Sequence, residues 1–317
     1  MLKNEDKKKV ILFSIVVVSV LLNLYTFTQA YPNTFIATYH INPYQTLAKD
    51  FSAYYIGAWR LFHDSSNVYT EGIVSNGEPY IYPQPQPYKY LPSFLMFIAP
   101  TLFFGYQDAL IVFDVAQFLL LPVMAFLVYE LLKDRSTLVI AIVMVILLLQ
   151  PSPTPHWGLS VSYFWQWGEG QDKVLNTFLL LLSFYLGKIR KPILSGAIFA
   201  LGAFDPRFFL LSLPLFAVYN KLDPKKAWLA LIASLAVFNS PLLIDGVGAG
   251  FLQMVFQRGV GTPLYYYALI PFLTLISLIV LNAKEIYLLV KALISRVRRV
   301  LWNEYRQRLK APLPTLT

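Results

Sequence analysis

The chain has 317 residues, of which 57% are hydrophobic and 14% charged, where an ordinary soluble domain carries about 25% charged residues. It contains no cysteine, which excludes disulfides and thiolate chemistry. The net charge of +9 excludes a basic nucleic-acid surface: residues 1–9 hold a net +2 and residues 284–310 a net +6, so nearly all of it sits at the termini. This is the composition of an all-α polytopic membrane protein.

Taken in chain order, residues 1–9 are a basic N-terminus. Val10 to Phe27 then runs 18 residues without a charge, long enough to cross a bilayer as a helix. Lys7, Lys8 and Lys9 ahead of it and Thr28-Gln29-Ala30 behind it also fit a signal peptide; its length and the many later apolar runs favour an uncleaved helix. Residues 28–90 form a long outer loop holding ten of the 21 tyrosines. So aromatic a loop is expected to fold, because disordered segments are poor in aromatics. Asp50 opens an amphipathic helix with Phe51, Tyr55, Trp59 and Phe62 at helical spacing. Residues 91–105, bracketed by Pro92 and Pro100, are short for a crossing and read as a re-entrant or interfacial helix.

Basic clusters order the rest. Lys133/Arg135, Lys188/Arg190/Lys191 and Lys221/Lys225/Lys226 are placed in the cytoplasm by the positive-inside rule. Both termini then come out cytoplasmic with eight spans: 10–28, 109–132, 137–150, 172–187, 192–204, 208–220, 227–244 and 264–283. A crossing at 91–105 would make nine. Segments 192–204 and 208–220 meet at Asp205-Pro206-Arg207, either as a helical hairpin or as one broken span. Residues 10–283 thus make one membrane domain. Residues 284–317 form a cytoplasmic basic tail, with Ile286, Leu289, Ala292, Val297 and Leu301 available to a membrane surface.

Outward-facing carboxylates are Asp50, Asp64, Glu71, Glu78, Glu169, Asp172, Asp205 and Asp245; the cations on that side are Arg60, Lys89, Arg207 and Arg258. Asp50 reads both as an N-cap and as a proton acceptor, roles that are compatible. Arg60 and Lys89, each taken singly, fit snorkelling to the interface, and the tyrosines fit an interfacial belt. Trp157, Trp165 and Trp167 precede Gly168-Glu169-Gly170-Gln171, with Asn176 on the first turns of the next span. His40, His63 and His156 have no ligand-like spacing, so no metal motif is read and no cofactor is expected.

Three pieces of the chain resemble the GT-C class of membrane glycosyltransferases, with the nearest likeness to glycosyltransferase family 87 and polyprenol-phosphate-mannose mannosyltransferases. They are Asp50-Phe51, Tyr54-Tyr55, Ala58, Leu61 and Val68-Tyr69; Tyr88-Lys89-Tyr90-Leu91-Pro92 with Pro100; and Gly170-Gln171 with Asn176. The likeness runs patchily over residues 45–225. It departs from the family at Leu91, where a Pro is usual, and at Asp205-Pro206-Arg207, where a Lys before Pro is usual. The resemblance implies a GT-C-like bundle of about eight spans, Asp50 as general base and a polyprenyl-phosphate sugar donor. It also implies a glycolipid or glycan acceptor outside the cytoplasm of a prokaryotic plasma membrane. Tyr54, Tyr55 and Trp59 would shape the sugar pocket. Arg60, Lys89, Tyr90, Glu169, Gln171, Asp205 and Arg207 would contact substrate, Arg207 or Lys89 facing the phosphate. A non-catalytic reading stays open beside it: an inactive relative, a glycosylation-complex subunit, or a lipid or sugar translocator.

Overall fold

The computed structural model describes residues 4–39, 49–70, 72, 77–79, 87–149, 151–154, 158–161, 170, 172–258 and 269–310. They are helical apart from one antiparallel hairpin that pairs Pro151–Thr154 with Gly158–Val161. The helices are α1 (Asn4–Tyr39), α2 (Lys49–His63), α3 (Ser93–Ile98), α4 (Tyr106–Leu132), α5 (Thr137–Leu149) and α6 (Lys173–Lys188). They continue with α7 (Pro192–Leu201), α8 (Pro206–Tyr219), α9 (Pro224–Phe238), α10 (Val247–Arg258), α11 (Leu269–Leu281) and α12 (Ala283–Lys310).

Local chemistry sets most of these limits. Asp205 is extended (φ −96°, ψ 104°), as a residue before proline must be. Pro206 then opens α8, where a missing N–H costs nothing. The same logic puts proline at the start of α7 and α9. Helix α1 carries on to Tyr39, through residues 28–39 that were expected to open the long loop. Helix α10 lies in the stretch between the spans expected at 227–244 and 264–283.

Among the described residues, two segments are by length and composition fit to cross a membrane: Lys8–Tyr25 within α1, and Tyr106–Leu132. The other segments counted as spans keep their order but are shorter, from 10 residues in α7 to 16 in α6. That is below the roughly 20 residues of a full crossing. Proline at the break after α7 and the 3₁₀ turn Ser240–Leu243 after α9 cut them short. The helices nonetheless turn large apolar side chains outward: Leu119 is 63% exposed, Leu138 68% and Leu229 68%.

Hydrogen bonds at the helix termini sort the bundle into two ends. At one, Lys8 Nζ donates to the Lys133 carbonyl (3.0 Å), Lys188 Nζ to that of Glu130 (2.7 Å) and Arg135 Nη2 to that of Leu281 (2.7 Å). These cations sit on the orphan carbonyls at the C-termini of α4 and α11, where the helix dipole favours positive charge. At the other end, Tyr55 Oη donates to Phe104 O (2.8 Å), Leu91 N to Phe204 O (3.2 Å) and Ser65 Oγ to Asp245 O (3.0 Å). Helices α1, α4, α5, α6, α7, α8, α9 and α11 therefore alternate in direction.

The core divides along the same axis. One cluster, centred on Leu121, Val128, Phe184, Phe199 and Phe216, fills the body of the bundle. The other, with Phe51, Tyr54, Tyr88, Phe94, Phe113 and Phe204, lies under α2 at the non-basic end. Helices α7 and α9 meet backbone to backbone: a Cβ on Gly196 would fall 2.3 Å from the Ala227 carbonyl oxygen. Beside them Ser183, Ser195 and Asn220 hydrogen-bond across α6, α7 and the end of α8.

Candidate functional site

The end opposite the basic residues brings together groups from four parts of the chain. Helix α2 supplies Asp50 and, one turn on, Tyr54. The segment before α3 supplies Tyr90, the residue ahead of α6 supplies Asp172, and the break between α7 and α8 supplies Asp205. Tyr54 Oη donates to Asp172 Oδ1 at 2.9 Å, and Tyr90 Oη reaches the same oxygen at 3.4 Å. Asp172 and Asp205 are buried, while Asp50 is half-buried.

Asp172 occupies the N-cap of α6 but makes no side-chain cap. Gln117 Oε1, on α4, accepts the Leu175 N–H at 3.2 Å instead, satisfying an orphan donor of the first turn. That leaves the Asp172 carboxylate to face the tyrosines. The approach is tight. Gly170 has φ +61°, and a Cβ there would lie 2.5 Å from Phe51 Cβ, so only glycine fits. Asn176 Nδ2 donates to Gly202 O (3.0 Å), fastening the turn that carries Asp205 to α6. Phe204 stacks on Phe94 with ring centroids 4.4 Å apart, and Phe94 meets Tyr54 edge-on at 4.8 Å.

Electrostatics follow from this geometry. Burial, then the charges of Asp205 and Asp50, push the Asp172 carboxyl up to about 7, against the pull of the Tyr54 hydrogen bond. Burial first, then Asp172, raises Tyr54 well above the ordinary phenol value, so it remains a donor. Asp172 is thus easier to protonate than an ordinary carboxyl, beside the half-buried Asp50. A pair of acids held in unlike environments is an arrangement that separates proton acceptor from proton holder.

Comparison with protein-family models, with curated proteins and with solved structures finds no match.

The residues expected here divide clearly. Asp50, Tyr54, Tyr90 and Asp205 come together around Asp172. Asp50 lies in the first turn of α2 rather than ahead of it, where a carboxylate suits the helix N-terminus. Tyr55 turns to the start of α4, its hydroxyl committed to Phe104. Trp59 stacks on His63 at 4.5 Å and 8°, and Phe62 is exposed.

Arg60 has a different task from substrate contact. It is buried and all five of its N–H groups are used. Nε and Nη2 meet Glu78 at 3.2 and 2.8 Å, Nη1 meets Asn67 O and Thr70 O, and Nη2 also meets Gly72 O. It knots the loop after α2 into place and has no donor left for a phosphate. Lys89 is exposed beside Tyr90. Glu169 and Gln171, with Trp157, Trp165 and Trp167, lie outside the described residues, as does the side chain of Arg207 in α8. Asp172, counted in the sequence only among the outward-facing carboxylates, is the residue missing from the expected substrate contacts. A lone Asp opening an apolar helix reads as a cap; the signal against that was Gly170 two residues earlier, marking a close approach.

Proposed function

We propose that the chain is a polytopic membrane glycosyltransferase of GT-C type. In this reading it moves a hexose, mannose by the resemblance, from a polyprenyl-phosphate sugar to a hydroxyl of a glycolipid or glycan. The observation that carries the reading is the convergence of Asp50, Tyr54, Tyr90, Asp172 and Asp205 at the end of the bundle away from its basic residues. Outward-turned apolar side chains along α4, α5 and α9 support a lipid environment, since large exposed apolar surfaces mark contact with protein or membrane. The basic end would face the cytoplasm and the acidic, aromatic end the outside.

Asp50 is the general base. It takes the proton of the acceptor hydroxyl as that oxygen attacks the anomeric carbon. The bond from that carbon to the phosphate oxygen breaks in line, the configuration inverts, and polyprenyl monophosphate leaves with the electron pair. Tyr90, held beside Asp172 by Tyr54, presents its half-buried ring to the sugar, while Lys89 and Arg207 are the cations proposed for the phosphate.

The test is sugar transfer from radiolabelled polyprenyl-phosphate mannose by wild type and Asp50→Asn in matched membranes. Transfer that collapses in the folded variant supports Asp50 as base. Transfer that survives removes Asp50 from that role and turns attention to Asp172.

A further inference from the structure

We propose that α12 carries a docking surface for an anionic lipid bilayer, on which it lies parallel to the headgroups at the basic end of the bundle. This rests on the membrane reading above and adds a second, peripheral contact of stated lipid chemistry. Helix α12 starts at Ala283, two residues after the uncharged α11 stops at Leu281. It therefore leaves the bundle at the end where Lys8, Lys133, Arg135 and Lys188 gather.

Ile286, Leu289, Val290, Leu293 and Val297 follow the i, i+3, i+4, i+7, i+11 spacing of one helix face. Ile286 and Leu289 are half-buried where the helix leaves the bundle, and from Val290 on the face is uncovered: Leu293 is 62% exposed and Val297 49%. Lys291 and Arg298 lie along one edge of the stripe and Arg296 along the other, all exposed. An apolar stripe edged by cations on a long helix is the pattern of an interfacial helix, whose affinity adds buried apolar area to attraction for anionic headgroups. The charge decides between occupants. Residues 284–310 hold a net +6, which a second copy would repel and a zwitterionic surface would leave unmatched.

The absence of cysteine lets single-cysteine variants report one position each. Spin labels at Leu293→Cys and at Leu119→Cys, on the outward face of α4, are compared in phosphatidylcholine nanodiscs with and without phosphatidylglycerol. The readout is accessibility to oxygen against a water-soluble nickel chelate. The expected result is a Leu119 label in lipid in both discs and a Leu293 label in lipid only when phosphatidylglycerol is present. Arg298→Gln with Arg299→Gln should reduce that bound population on the order of tenfold or more. A Leu293 label that stays in water in both discs while Leu119 is in lipid overturns the proposal. So does a Leu293 label shielded from both relaxants with spin–spin broadening, which assigns the face to a second copy. A Leu119 label in water overturns the membrane reading itself and this proposal with it.

Discussion

Tyr54 and Asp172 stand 118 residues apart in the chain and 2.9 Å apart in space, phenol oxygen to carboxylate oxygen. That one bond joins α2 to the start of α6, and it holds only while Tyr54 keeps its proton. Raising Tyr54 and Asp172 together, through shared burial and mutual charge, keeps the phenol a donor across the whole range in which Asp172 titrates.

The Asp172 carboxyl, pushed up to about 7, makes folding pH-dependent. The folded state binds its proton more tightly than the unfolded chain does. The group's contribution to stability is therefore fully present below the ordinary carboxylate pKa and is lost as pH rises through about 7. Within that window each pH unit costs up to about 1.4 kcal/mol. Thermal unfolding in detergent should show wild type melting lower at pH 8 than at pH 5, and Asp172→Asn with a flatter profile. Equal slopes in the two proteins would remove Asp172 as the source.

Arg60 should behave as a structural ion. Its partner Glu78 is fully buried with it, and breaking a buried pair from one side costs about 3–5 kcal/mol. Arg60→Ala is expected to melt markedly lower and to open the segment after α2 to proteolysis. Arg60→Lys should recover only part, because an ammonium cannot reproduce the planar fork. A lysine variant as stable as wild type but weakened in substrate binding would reverse this assignment.

How far the sequence led is visible at particular residues. Helix order, the break at Asp205-Pro206 and the shortness of 91–105 were legible because proline and apolar runs act locally. The position of Asp50 one turn from Tyr54 was legible from helical spacing. Arg60 was not, because its acceptors are mainly loop carbonyls, which leave no trace in composition. Asp172 was not, because Gln117 on a distant helix takes over the cap that Asp172 would otherwise make. Nor was the orientation of Trp59, since the burial of α2 almost all round hides which face meets the site.

Gly170 tests how closely the start of α6 must approach α2. Gly170→Ala meets both a positive φ and a contact of 2.5 Å with Phe51 Cβ, whereas Gly77, at φ +76°, has nothing within 4 Å. The left-handed backbone alone costs an alanine about 1–2 kcal/mol, and overpacking adds about 1–3 kcal/mol more. Gly170→Ala should therefore lose more stability than Gly77→Ala and also lose the pH dependence due to Asp172. Matching losses would mean that the close approach has no energetic weight.

Gly196 poses the same question in the body of the bundle without any backbone strain. Its missing Cβ lets α7 lie against the Ala227 carbonyl of α9, a close backbone approach that only a small residue permits. An alanine there meets backbone atoms, which cannot rotate aside, so the helices must separate at a cost of about 1–3 kcal/mol. The separation would also stretch the neighbouring bonds of Ser195 to Ser183 and Asn220. Gly105→Ala is the control, with open space around it. Thermal unfolding should place Gly196→Ala clearly below Gly105→Ala; if the two melt together, α7 and α9 are not in backbone contact.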